Sequence, residues 1–469
     1  MANEINTKPN FIIFLTDDQG YGDLSCMGCE DFRTPHLDRL ATDGVRFTNW
    51  YSNSPVCSPA RASLLTGRYP GNAGVRSILA GHRTATGLPQ STPSLATALK
   101  PLGYQTYMAG KWHLGLADGS RPHHHGFDHW YGFMAGCIDF YSHIFYWGMN
   151  KPGPALNPTH DLWEDDVEIW DNGHYFTEAI TAKAIDYLRQ AASSDQPFFL
   201  YVPYNAPHYP MHAPQKYMDR FAHLPWDRQV MAAMISAVDD GVGEIMAELE
   251  RLGMADNTCT FFTADNGPSR ESRNWLDGTQ DPYYGGSAGK LKGHKFSLYE
   301  GGIRVPGIMH WPGTVPGGQV LDEPCASMDV LPTALGAVAR AGQNDVYANI
   351  DTGIDMGEIN GIDLLPYVTE GNAPATRPIF WEQGKQTAVR HGKWKLVLNG
   401  QLVEGTPSED NVHLANLDED MGEQINLKNA ERAITAELTA LAESWREKIE
   451  ARWVREFSVE KQGIVTHSD

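Results

Sequence analysis

Cys57 opens the run Cys57-Ser58-Pro59-Ala60-Arg61-Ala62-Ser63-Leu64-Leu65-Thr66-Gly67, where a proline at the first turn starts a helix and an arginine follows one turn after the cysteine. Two further pairs, Asp17-Asp18 and Asp265-Asn266, offer only oxygen donors. A hard oxygen set suits Ca²⁺ first, with Mg²⁺ as the alternative ion. A thiolate is soft and fits such a site poorly, so Cys57 in its coded form is out of place beside these residues. Lys111, His113 and His208 add positive charge and proton carriers. A divalent ion, cations and imidazoles gathered at one site would stabilise charge developing on an oxygen and move protons.

Each pair alone also fits a helix cap or a turn, and each histidine an ordinary loop. Their placement along the chain makes the joint case. Phe11-Ile12-Ile13-Phe14-Leu15 reads as a buried strand and delivers Asp17 and Asp18. Tyr104 to Met108 reads as a strand with Lys111 and His113 just beyond it, on one side by alternation. Phe198 to Val202 leads into Asn205-Ala206-Pro207-His208, and Cys259 to Thr263 ends at Asp265-Asn266-Gly267. Helical patterns lie between these strands. One follows Thr34-Pro35 and stops at Gly44, a second begins at Thr92-Pro93 and runs through Leu95, Leu99 and Leu102, and a third carries Ile180, Ala184 and Leu188. The longest runs from Met231 to Leu252. Alternating strands and helices predict an α/β fold with a large, mostly parallel sheet sandwiched by helices, and ligands bind such sheets at the carboxyl ends of strands.

After about residue 370 the pattern changes to short strands, Pro378 to Phe380, Thr387 to Arg390 and Trp394 to Leu398, followed by a helix from near Ala430. This predicts a catalytic domain over residues 1–372 and a small α+β subdomain, an antiparallel sheet with a helix, over 373–469. The chain has 469 residues and a formal net charge of −21, from 37 Lys plus Arg against 58 Asp plus Glu. That balance excludes nucleic acid and anionic membrane as general partners and requires a local cationic pocket for any anionic substrate. Six cysteines are too few and scattered for a disulfide framework. No apolar run spans a bilayer and no signal peptide opens the chain, so the sequence reads as soluble: periplasmic or secreted if a signal was removed, otherwise cytoplasmic.

The Cys57 run resembles the Cys-x-Pro-x-Arg signature, with its downstream Thr-Gly, of the type I or formylglycine-dependent sulfatases in the alkaline phosphatase superfamily. Cysteine-dependent phosphatases, which use the thiolate directly, space their cysteine and arginine further apart. Ala109-Gly110-Lys111-Trp112-His113-Leu114-Gly115, the segments Asp17-Asp18-Gln19-Gly20-Tyr21-Gly22 and Thr263-Ala264-Asp265-Asn266-Gly267, and Tyr299-Glu300-Gly301-Gly302-Ile303-Arg304-Val305-Pro306 are similar to further segments of that family.

The resemblance implies an alkaline-phosphatase-like fold and hydrolysis of a sulfate monoester, most readily on a sulfated carbohydrate, to alcohol and inorganic sulfate. It implies that a formylglycine-generating enzyme oxidises Cys57 to formylglycine, whose hydrated aldehyde is the nucleophile on a calcium ion. Asp17, Asp18, Asp265, Asn266 and the converted Cys57 would hold that ion, with Arg61 supporting the oxygens beside it. Lys111 would hold nucleophile and sulfate oxygens, His113 would act as base to expel sulfate, His208 would protonate the leaving alcohol, and Lys295 would bind sulfate. Lys290 and Lys292 are near neighbours of Lys295, and its distance to Tyr299-Glu300 selects it. Arg270, Arg273 and Trp275, on a loop after Asp265-Asn266, are candidate substrate contacts. A phosphonate or phosphate ester hydrolase of the same superfamily and a non-catalytic sulfoglycan-binding protein are the alternative readings. Cys26 and Cys29 read as structural, His123-His124-His125 as a solvated loop, and Trp130, Tyr131, Phe140, Tyr141, Phe145, Tyr146 and Trp147 as core in preference to a sugar platform.

Overall fold

The computed structural model describes residues 7–145, 159–270, 284–342, 352, 354–403 and 405–457. Its frame is a ten-stranded mixed sheet. In chain order the strands are β1 (Asn10–Thr16), β2 (Val45–Phe47), β3 (Gln105–Lys111), β4 (His129–Phe133), β5 (Trp163–Glu164), β6 (Val167–Glu168), β7 (Phe198–Pro203), β8 (Thr258–Ala264), β9 (Gly307–His310) and β10 (Gln319–Leu321). They lie side by side in the order β10-β2-β9-β8-β1-β7-β3-β4-β5-β6.

The five neighbours β8, β1, β7, β3 and β4 run parallel, and antiparallel pairs extend the sheet on both sides. All residues of β1, β7 and β8 are buried, as continuous apolar strands covered on both faces must be. The helices α1 (Pro35–Asp43), α2 (Cys57–Thr66), α3 (Phe176–Ala191), α4 (Trp226–Arg251) and α5 (Val330–Ala341) accompany this sheet. Among the described residues no helix is long and apolar enough to cross a membrane.

The register aligns the strand ends. Thr16 pairs with Ala264, so Asp17 and Asp265 leave adjacent strands side by side. Leu15 pairs with Pro203, which puts the segment leading to His208 on the other flank of β1. Four consecutive strands therefore discharge onto one face. The helix expected from Thr92-Pro93 is shorter, Leu95–Leu99 followed by a 3₁₀ turn over Lys100–Leu102. Ser94 caps it, its hydroxyl accepting from Thr97 N at 3.1 Å, and Pro101 breaks the α-helical ladder.

A second sheet is antiparallel and consecutive: β11 (Pro378–Gln383), β12 (Gln386–His391), β13 (Trp394–Gly400) and β14 (Asp410–Asn416), accompanied by α6 (Arg432–Glu456). Three of these strands match the expected segments. β14 is additional, and α6 begins at Arg432, just after the expected Ala430. The core of this sheet is separate from that of the larger one and takes in residues from earlier in the chain: Trp381, Val389, Leu396, Leu414 and Leu438 pack with Tyr51, Tyr69, Leu298 and Tyr299. A buried ionic network runs through the same seam. Glu300 accepts from Tyr51 Oη at 2.6 Å and Lys395 Nζ at 2.8 Å, and Lys395 also pairs with Glu423 at 3.2 Å.

The cysteines are all free, and Cys29 donates to Asp31 Oδ1 at 2.9 Å, in keeping with a structural role. The expected solvated loop at His123-His124-His125 is instead a 3₁₀ turn over Pro122–His125, in which His123 pairs with Asp166 at 2.5 Å and is partly exposed while His125 is buried. Trp130, Tyr131, Phe140 and Phe145 are core residues, Tyr141 is half-buried, and Tyr146 and Trp147 lie outside the described residues.

Candidate active site

Cys57 is the first residue of α2, a helix whose ten residues are all buried, and its Sγ lies 3.4 Å from Asp17 Oδ1. Burial pushes its thiol pKa well up, and the nearby Lys111 and Lys295 offset this only in part. The coded thiol is thus held protonated and is no ready nucleophile. One turn on, the guanidinium of Arg61 donates from Nε and Nη2 to Asp265 Oδ2 at 3.1 and 2.8 Å, and from Nη1 to Lys111 O at 3.0 Å. Nη2 also lies 3.6 Å from Asp17 Oδ1. Arg61 therefore ties α2 to three strand ends.

Asp17, Asp18 and Asp265 are all buried. Lys111 Nζ donates to Asp17 Oδ2 at 2.5 Å and Lys295 Nζ to Asp18 Oδ2 at 2.9 Å. Asp18 sits at φ 62° in the left-handed region, and its N–H donates to Asp265 Oδ1 at 3.1 Å, locking the turn. Burial, followed by the neighbouring charge of Asp17, pushes the Asp265 carboxyl up to about 7 despite Arg61. Asn266 Nδ2 donates to Asp18 Oδ1 at 2.7 Å, while its Oδ1 is buried with no hydrogen-bond partner. Donor atoms of Asp17, Asp18, Cys57 and His208 lie within 4.8 Å of one another. Crowded carboxylates and an orphaned carbonyl oxygen fit a hard divalent cation, and only the sulfur of Cys57 does not.

His208 Nδ1 lies 2.7 Å from Tyr209 O, which fixes Nδ1 as the donor and turns Nε2 toward the site, 3.4 Å from Lys295 Nζ and 3.6 Å from Asp18 Oδ2. His113 does not follow the alternation of β3. Trp112 N bonds across to Phe133 O at 2.9 Å, and His113 takes φ 54°, so a turn aims its ring. Nε2 of His113 lies 3.3 Å from Leu79 O, and Nδ1 is buried without a partner. Burial, and then the charges of Lys111 and Arg61, hold its pKa well below the usual histidine value, leaving a neutral ring that can accept a proton. Gly136 is required beside it, because a Cβ there would come within 2.9 Å of the imidazole.

Arg270 stacks over Tyr284 at 4.7 Å. Arg273 and Trp275 lie outside the described residues. Sequence reasoning missed the residues that hold the loops. Phe296, at φ 72°, donates its N–H to Pro55 O at 3.0 Å, and its carbonyl accepts from Gln386 Nε2 at 2.7 Å. Gln386 Oε1 accepts from Leu298 N at 3.2 Å and Gln401 N at 3.0 Å. Ser52 Oγ donates to Asp265 O at 2.5 Å, and Trp381 Nε1 to Ser52 O at 2.7 Å. These links join partners far apart in the chain, and no local pattern signals them.

The chain matches the family profile described as Sulfatase over residues 9–339. It belongs to the sulfatase family. This sulfatase is 33% identical to N-acetylgalactosamine-6-sulfatase of Rattus norvegicus over 406 residues, covering 83% of this chain and 71% of the relative. It is 32% identical to arylsulfatase A of Homo sapiens over 476 residues, covering 92% and 85%. Among solved structures, Ps i-CgsB in complex with k-i-k-neocarrahexaose is similar with a TM-score of 0.80 and 30% identity, covering 94% of this chain and 93% of that one. The fold is the alkaline-phosphatase-like one of its structural neighbours. As a sulfatase the protein is an enzyme, a sulfuric ester hydrolase.

Proposed function

We propose that this sulfatase hydrolyses a sulfate monoester on a carbohydrate to alcohol and inorganic sulfate. One observation carries the reading: Cys57, Arg61, Lys111, His208 and Lys295 converge on the buried carboxylates of Asp17, Asp18 and Asp265, with His113 feeling the same charges. The carbohydrate part is supported by a relative named for N-acetylgalactosamine-6-sulfate and by a similar structure holding a carrageenan-type hexasaccharide.

Asp17, Asp18, Asp265 and Asn266 would hold Ca²⁺, or Mg²⁺ as the alternative. Cys57, converted to formylglycine by a formylglycine-generating enzyme, would supply a hard oxygen nucleophile, and the ion would polarise it and neutralise charge on the sulfate. Lys111 and Lys295 hold sulfate oxygens. Arg61 holds Asp17 and Asp265 in place. His208, with Nδ1 tied to Tyr209 O, delivers a proton from Nε2 to the leaving oxygen, and neutral His113 takes the proton that sulfate release requires. Arg270, with Arg273 and Trp275, meets the part of the substrate beyond the sulfate. In this reading residues 1–372 form the catalytic domain, which carries every reacting group, and residues 373–469 brace it.

The test is to express the protein with the modifying enzyme, verify conversion of Cys57 by peptide mass spectrometry, and measure sulfate release from defined sulfated oligosaccharides, an aryl sulfate and matched phosphate and phosphonate esters. Converted, Ca²⁺-loaded enzyme that releases no sulfate, or that prefers the phosphorus esters, overturns the reading. Lys111→Ala and His208→Ala are each expected to lower kcat/KM by about 10²- to 10⁴-fold, with unchanged circular dichroism. Gln386→Ala is expected to cost about tenfold in kcat/KM through a shifted Lys295 loop. Gln386→Glu, which keeps the acceptor for Leu298 and Gln401, should lie between it and wild type. Equal kinetics in all three proteins, with only the melting temperature changed, would show that Gln386 has no positioning role.

A further inference from the structure

Away from the Cys57 site, a cavity of about 750 Å³ opens between α3 and the β5–β6 hairpin, a volume suited to a small organic ligand. Tyr141, Trp170 and Tyr175 supply its aromatic surface. Trp170 is 65% exposed, and its ring lies almost parallel on His160, with centroids 3.6 Å apart and an interplanar angle of 11°. His160 is itself held, with Nδ1 3.1 Å from Glu168 Oε1 and its carbonyl accepting from Arg83 Nη2 at 3.3 Å. An indole braced on one face and open on the other is a ready platform for stacking, since little side-chain freedom is left to lose.

The polar lining tells what would sit there. Glu164, Asp171, Glu178 and Asp186 face the cavity with Lys183. Lys183 is committed, paired with Glu164 at 2.8 Å and lying 5.4 Å from the Tyr131 ring centroid. Glu178 pairs with Lys216 at 2.7 Å, Asp186 with Arg189 at 3.5 Å, and Asp171 with His174. Among the described lining residues four carboxylates face Lys183 and His174, a balance that disfavours a sulfate, while the carboxylate oxygens outside these pairings can accept from hydroxyl groups.

The cavity also borders the segment that carries His208 and, through Arg83, adjoins one that contacts His113. Tyr175 Oη donates to His212 O at 2.9 Å, four residues beyond His208. Arg83, which supports the platform, lies four residues beyond Leu79, whose carbonyl is 3.3 Å from the His113 ring.

We infer that this cavity is a subsite for an unsulfated sugar ring, stacked on Trp170 and hydrogen-bonded through its hydroxyls to the lining carboxylates. The inference rests on the proposal that the substrate is a carbohydrate. It adds that the enzyme engages a neutral residue of an oligosaccharide apart from the sulfated one.

The test is calorimetric titration of the full chain with a chemically desulfated galactan tetrasaccharide. Wild type is expected to bind it saturably, and Trp170→Ala about tenfold more weakly, with Trp170→Phe between them. Aryl sulfate kcat/KM should be the same in all three proteins, because none of the reacting groups lines this cavity and Trp170 is exposed enough to replace without disturbing the fold. No binding by wild type, or identical isotherms for wild type and Trp170→Ala, overturns the subsite. If the tetrasaccharide binds in a Trp170-dependent way but no sulfated oligosaccharide is hydrolysed, the cavity assignment is supported and the proposed substrate class fails.

Discussion

Cys57→Ala is expected to lower kcat for an aryl sulfate by about 10⁴- to 10⁶-fold, the scale on which removing a covalent nucleophile acts, because the remaining groups can bind and polarise the ester but cannot attack it. The fold should survive the change. Cys57 Sγ makes one weak hydrogen bond, to Asp17 Oδ1 at 3.4 Å, and its removal strands no charge, since Arg61 stays paired with Asp265 and Lys111 with Asp17. Thermal unfolding and steady-state kinetics, measured on the same preparation, separate the two effects. Protein carrying an unconverted Cys57 should be nearly as inactive, because burial keeps its thiol protonated. A Cys57→Ala variant within tenfold of wild type would remove this residue from the reaction.

Removing divalent ions is expected to abolish turnover and to lower the melting temperature, and added Ca²⁺ should restore both. The physical reason lies in the packing of Asp17, Asp18 and Asp265, all buried, with the Asp265 carboxyl pushed up to about 7 by its surroundings and Asn266 Oδ1 unpartnered. An ion that binds this arrangement and not the unfolded chain stabilises it by about 4 kcal/mol when present at a thousand times its dissociation constant. Scanning calorimetry with and without Ca²⁺ reads that shift independently of catalysis. Asn266→Ala should reduce the Ca²⁺-dependent rise in melting temperature, because it deletes a neutral oxygen donor without changing the charge. A melting temperature indifferent to Ca²⁺ would end the case for an ion at these residues.

The parts of the molecule legible in the sequence were those with a local signature. β1, β3, β7 and β8 are apolar runs that end in polar residues, so their burial and the convergence of Asp17, Lys111, His208 and Asp265 could be read together. The edge pieces β2, β5 and β6 are two or three residues long and carry too little periodicity to register. β14 was hidden for another reason: Asp410, Asn411 and Asn416 look like loop, and partners on β13 rather than intrinsic preference make them a strand. His113 was expected to follow the pleat of β3 and instead sits in a left-handed turn, a tertiary outcome that alternation cannot foresee. Gln386, Ser52 and the Glu300 network act between segments that meet only after folding. The Trp170 platform depends likewise on a stacking partner earlier in the chain, His160.

The complete enclosure of α2 has a bearing on how such a protein matures. Under the proposed conversion of Cys57, the modifying enzyme would reach this sulfur only while the surrounding chain is still open, so oxidation and folding would compete for the same brief interval. Conditions that hasten collapse would then yield well-folded molecules with a dormant centre. A slow early stage in the chain's biography would be an advantage, and specific activity would report on the order of events during synthesis as much as on the finished architecture.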